Sequence, residues 1–140
     1  MDWNANQQAL KSLPFGASKG IRKMAAGHIG VSKKMKEWKF QEHNTCPRCG
    51  APTEDSKHIL QCPLAQDLWT SKVSSLRSWM ISKKTHPQLV KAICSNLSTW
   101  GQGDCLRHLP PELEEVLKVQ AEVGWFHFVM GKAAKHVQIL

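Results

Sequence analysis

Apolar positions along this chain fall mostly at helical spacing. "PLAQDLWTSKVSSLRSWMIS" places Leu64, Leu68, Trp69, Val73, Leu76, Trp79 and Met80 on one stripe, predicting a helix with Pro63 in its first turn. "PQLVKAICSNLSTWG" repeats the pattern with Leu89, Val90, Ile93, Leu97 and Trp100, opened by Pro87 and closed by Gly101. A last amphipathic stretch opens at Pro111 with acids in its first turn, where the helix dipole favours them. Leu113, Val116, Leu117 and Gln120 start its stripe; Phe126, Val129, Met130, Ala133 and Val137 continue it past Gly124, where a kink or short break is expected.

The N-terminal pattern is more broken. "NANQQALKSL" predicts a short helix ended by "LPFG", and "SKGIRKMAAG" a second one with Ser18 as N-cap. Gly27 and Gly30 then interrupt, and helix resumes from Ser32. Only "EWKFQEHN" suggests a short extended piece, and no internal repeat is present. The pattern predicts a mainly α fold, an irregular helical bundle carrying one small knuckle. It reads as a single domain over 1–140: a basic segment at 19–40, the knuckle and the start of the next helix at 43–69, and the bundle at 70–140. Trp69, Trp79, Trp100 and Trp125 lie on or near the stripes and are assigned to the core.

Composition changes this picture in one respect. A hydrophobic content of 41% in 140 residues is that of an ordinary globular domain, but a formal net charge of +8 is not. Such an excess calls for an anionic partner, nucleic acid first, with a membrane surface or acidic protein second. No run of eighteen apolar residues and no signal-peptide pattern occurs, so neither a membrane span nor secretion is expected. The five cysteines then belong in a reducing intracellular compartment, nucleus or cytoplasm, where CxxC reads as a metal or redox pair.

That pair opens "CPRCGAPTEDSKHILQCP". Cys46-x2-Cys49-x8-His58-x3-Cys62 offers three sulfurs and one imidazole, the donor set of tetrahedral structural Zn²⁺. Gly50 allows the left-handed backbone such a turn needs after its second cysteine. His58 and Cys62 are four apart, so one helical turn puts them on one face; "TEDS" supplies capping side chains, and Pro63 ends the turn. A Cys-Pro-x-Cys redox dithiol, a chance cluster of thiols, and His43 in place of His58 remain open as alternatives. Cys94 and Cys105 read as ordinary buried thiols, and His28 as a packing or capping residue.

"CPRCGAPTEDSKHILQCPLAQDLW" resembles the zinc-binding domain toward the C-terminal end of reverse transcriptases of LINE-type (non-LTR) retroelements. Cys46, Cys49, Glu54, His58, Ile59, Leu60, Cys62 and Trp69 carry the likeness, with Gly27-His28 upstream. The tail "EVGWFHFVMGKAAKHVQ" is similar to diatom-type retroelement open reading frames. The resemblance implies an accessory module that helps a polymerase engage RNA or DNA. The polymerase itself is not here, because no adjacent aspartate pair occurs to hold its metals.

Directly before the knuckle, Lys19 to Lys39 holds seven Lys or Arg against one acid, Glu37. Lys33, Lys34, Lys36 and Lys39, extended by Arg48 and Lys57, are the phosphate-contact candidates; Trp38 and Phe40 are candidates for stacking on unpaired bases. No Gly-rich phosphate loop, nucleophile elbow or HExxH is found, so the expectation is a non-enzymatic module binding RNA or single-stranded DNA. The alternative is a protein-interaction adaptor in which zinc is purely structural.

Overall fold

The computed structural model describes residues 3–102 and 111–132. It is mainly helical, with no strand among the described residues. In chain order the helices are α1 (Trp3–Lys11), α2 (Phe15–Ala25), α3 (Ser32–Glu37), α4 (His58–Gln61), α5 (Gln66–Ser82), α6 (Pro87–Gly101), α7 (Glu114–Val123) and α8 (Trp125–Val129). Single 3₁₀ turns at Pro63–Ala65 and Pro111–Leu113 precede α5 and α7. The chain divides into two compact units, residues 1–29 with 115–140, and residues 30–114. No described helix is long and apolar enough to cross a membrane.

In the first unit α2 begins earlier than its serine suggested. Pro14, with φ −53°, stands just before the helix, and the Ser18 N–H already donates to the Pro14 carbonyl. Ser18 is therefore inside the helix and buried, not an N-cap. Leu117, Gln120 and Met130 of the terminal stripe are buried, as is Trp125 beside it, whereas Phe126 and Val129 are half-buried. The break expected at Gly124 is present: its φ of +94° separates α7 from α8. Ala133 and Val137 lie outside the described residues.

The second unit centres on α5 packed along α6. Val73 and Met80 from α5 are buried, as are Leu89, Val90, Ala92, Ile93 and Leu97 from α6. Each large aliphatic side chain taken from water contributes about 1.5–3 kcal/mol, so this seam is the main apolar source of stability here. The predicted α5 stripe is only half buried. Leu64, Leu68 and Trp79 are 70%, 55% and 57% exposed, because one partner helix covers a narrower arc than the sequence stripe spans.

Trp69 locks the far end of this seam. Its indole N–H donates to the Leu97 carbonyl at 3.0 Å, and its ring meets that of Trp100 at 5.5 Å. Gly101 is glycine for this reason: a Cβ there would sit inside the Trp69 ring. Gln61 and Gln66 donate to the Trp100 and Gly101 carbonyls at 2.5 and 2.9 Å. Side chains from the knuckle side thus satisfy carbonyls in the last turn of α6, where intrahelical donors run out.

Among the described residues, four helices end in the same backbone motif, with a left-handed residue just past the C-cap. Gly27 and Gly131 fill it after α2 and α8, but Lys39 (φ 62°) and Lys84 (φ 58°) fill it after α3 and α5. A side chain there costs about 1–2 kcal/mol relative to the right-handed region. A cation at a helix C-terminus recovers about 0.3–1 kcal/mol through the dipole. The extended piece expected at "EWKFQEHN" is instead the end of α3 followed by this turn and irregular chain.

Candidate metal centre and its basic flank

The knuckle is built from a tight turn and one turn of helix. The Gly50 N–H donates to the Cys46 carbonyl at 2.9 Å, and Gly50 takes φ +73°, the left-handed conformation foreseen for it. The Cys46 N–H closes back on the Ala51 carbonyl, and the Glu54 N–H on that of Asn44, so the chain returns beside itself. Of the four residues "TEDS", Asp55 is the one that caps. Its Oδ1 accepts from the N–H groups of His58 (2.7 Å) and Lys57 (3.0 Å), directing α4 and the His58 ring it carries.

These elements bring Cys46, Cys49, His58 and Cys62 together, with their donor atoms all within 4.8 Å of one another. Cys49 Sγ lies 3.3 Å from His58 Nε2, and the Cys46 and Cys62 sulfurs are 4.0 Å apart. Tetrahedral Zn²⁺ with ordinary bond lengths sets S···S near about 3.8 Å and S···N near about 3.6 Å. The Cys46–Cys62 and Cys49–His58 separations match those values to within about 0.3 Å, and the remaining pairs lie within 4.8 Å. Cys46 and Cys62 are buried, whereas Cys49 and His58 are half-exposed and border an open groove lined by Ala51, Asp55, Lys57, Gln61 and Pro63.

Electrostatics differ between the sulfurs. The Ala51 backbone lowers the Cys49 pKa from its ordinary value, against burial and with help from the neighbouring thiols. Burial pushes the Cys62 thiol up. A cation that draws both to thiolate releases protons as it binds. His43, the alternative ligand, is exposed, engages Thr45 at 3.2 Å, and is outside the cluster. His28 is also exposed and outside it. Cys94 is a half-buried free thiol raised by burial, and Cys105 lies outside the described residues.

Glu54 ties this cluster to the basic helix. Its buried carboxylate accepts the Ser32 N–H and hydroxyl, both at 2.9 Å on Oε2, while Oε1 faces the Cys46 thiol at 3.7 Å. The Glu54 carbonyl takes the Lys33 N–H as well. Burial works to raise the Glu54 pKa, but the Ser32 N–H, the Ser32 hydroxyl, Cys46 and His58 outweigh it and hold it below the usual carboxylate value. Gln41 adds a clamp by donating to the Ser32 and His43 carbonyls. The anchoring role of Glu54 toward Ser32 was missed in the sequence, where twenty-two residues separate the partners.

On this flank Lys33, Lys36, Lys39, Arg48 and Lys57 are exposed. Lys34 is half-exposed and paired with Glu37 at 2.6 Å, and that hydrogen bond lowers the Glu37 pKa. Trp38 and Phe40 are 41% and 73% exposed on either side of the left-handed Lys39.

With this geometry in place, the comparisons bear on one end of the chain. Residues 3–69 match the family model described as zinc-binding in reverse transcriptase. The match takes in the whole four-donor cluster, ends at Trp69, and does not reach the tail. No curated protein and no solved structure matches the chain.

Proposed function

We propose that this protein is a non-enzymatic, zinc-stabilised module that binds nucleic acid, derived from a LINE-type retroelement reverse transcriptase. Cys46, Cys49, His58 and Cys62 hold Zn²⁺, which when bound supplies a structural cross-link. Lys33, Lys36, Lys39, Arg48 and Lys57 contact phosphates, with Lys34 a weaker contributor because Glu37 offsets its charge. Trp38 and Phe40 offer ring faces to unpaired bases. The observation that carries this reading is the Glu54 bridge, which fixes the start of the cationic helix α3 against a metal ligand. A structural metal alone would not call for such a helix on its flank, and the free thiols suit an intracellular setting.

The test is the salt dependence of RNA and single-stranded DNA binding by the zinc-loaded chain. Counterion release predicts that log K falls with log salt at about −0.7 per phosphate contacted. Lys33→Glu/Lys36→Glu/Arg48→Glu should weaken binding and flatten that slope while zinc content and circular dichroism stay unchanged. Binding that ignores salt would favour the protein-interaction adaptor instead, and salt-dependent binding that survives the triple reversal intact would overturn the assignment of phosphate contact to these residues.

A further inference from the structure

The helical pair α5–α6 holds a second concentration of features that the knuckle reading does not use. Between Asp67 and Asp104 the sequence has five Lys or Arg and no acid. All five, Lys72, Arg77, Lys83, Lys84 and Lys91, are exposed, and none is ion-paired among the described residues. Trp79 sits among them at 57% exposure, although the sequence stripe assigned it to the core. Lys72 lies two turns before Trp79 and Lys83 about one turn after it, so the three share a face of α5 or continue it past its end. Lys84 then occupies a left-handed position that glycine fills after α2 and α8.

From these observations we infer that α5 carries a separate binding surface for single-stranded nucleic acid, with Trp79 as its stacking platform and Lys72, Lys83 and Lys84 as its phosphate contacts. The helix dipole accounts for a cation at the end of α5. It does not account for an exposed indole, or for a stretch from which every counter-charge is missing. Charge complementarity selects a polyanion, and an indole between cations selects one whose ring faces are free, which paired bases do not offer. The surface shares no residue with the α3 flank, so each can fail without the other.

The experiment uses the zinc-loaded full chain and a labelled oligo-dT, read by fluorescence anisotropy across a salt series. Trp79→Ala should weaken binding about tenfold with the salt slope kept. Lys72→Glu/Lys83→Glu should weaken it and flatten the slope, since two fewer phosphates are neutralised. Both sites are exposed, and unchanged circular dichroism and zinc content confirm folding. Lys33→Glu/Lys36→Glu/Arg48→Glu, measured in parallel, separates the two surfaces. Loss confined to that triple variant overturns the α5 surface and leaves the knuckle reading intact. Loss confined to the α5 variants does the reverse. A wild-type chain that does not bind oligo-dT, a matched duplex that binds equally with Trp79→Ala silent, or poly-glutamate competing as well as oligo-dT, overturns it too.

Discussion

The knuckle and the α5–α6 pair lie in the same compact unit but are held by different forces. Around the knuckle, Cys46, Cys62, Val31 and Glu54 are buried, and the links are single hydrogen bonds, several of them to one carboxylate. Across α5–α6, seven aliphatic or methionine side chains are buried along the seam. Conformational entropy of about 1–2 kcal/mol per ordered residue opposes both. Apolar burial can offset it in the helical pair. Hydrogen bonds netting about 0.5–1.5 kcal/mol each cannot do so for the segment from Gln41 to Cys62. On the proposed reading, the missing stabilisation comes from a metal ion held by the four clustered donors.

The largest effect should therefore follow metal removal. Structural zinc contributes about 10–16 kcal/mol apparent in small fingers, so a chelator or Cys62→Ser should unfold the knuckle. Hydrogen exchange would read this as lost protection at the amides of Cys46, Gly50 and Glu54, which are bonded to Ala51, Cys46 and Asn44. Amides of α6 around Ile93 and Leu97 should stay protected. Equal loss in both regions would mean that the helical pair leans on the metal as well.

A smaller break should come from the apolar side. In Gly101→Ala the new methyl overlaps the Trp69 indole, which must leave its bond to the Leu97 carbonyl and its packing against Trp100. Overpacking and the broken bond together destabilise by about 2–4 kcal/mol. Urea unfolding followed by tryptophan fluorescence would show a lower midpoint with zinc content retained. Gly20→Ala, where nothing lies within 4 Å, serves as the control and should be neutral or slightly stabilising.

The contrast also shows what the sequence made legible. The metal cluster could be read because ligand chemistry demands particular residues at short spacing, as in Cys46-x2-Cys49 and His58-x3-Cys62. Helix α6 could be read because Leu89, Val90, Ile93 and Leu97 of its stripe are all buried where it packs on α5. The stripe of α5 misled: periodicity tells which residues share a face, not how wide an arc the fold covers, and Trp79 was left outside. Burial of Asn96 within the α6 seam, its amide nitrogen without a partner, had no signal at all. Nor did the Glu54–Ser32 bond, since a carboxylate that caps a helix distant in sequence looks like any surface acid. Gly101 was read as a helix stop, and it does end α6, but the bulk of Trp69 is what forbids a side chain there.

The smallest effect sharpens the comparison most, because one motif occurs once in each region. Lys39 ends α3, whose links run to Glu54 and Gln41 beside the knuckle; Lys84 ends α5 on the apolar seam. Replacing either with Gly relieves a strained left-handed backbone, gives up the dipole interaction, and frees the unfolded chain, which leaves a net gain of about 0.5 kcal/mol. In zinc-loaded protein both substitutions should raise the unfolding midpoint by a similar small amount. After chelation the gain from Lys84→Gly should persist, since its helix keeps its partner. The gain from Lys39→Gly should vanish, because a cap cannot be relieved on a helix whose anchor has dissolved. Paired urea titrations with and without chelator measure the difference, and a Lys39→Gly gain that outlives the metal would show that α3 stands without the knuckle.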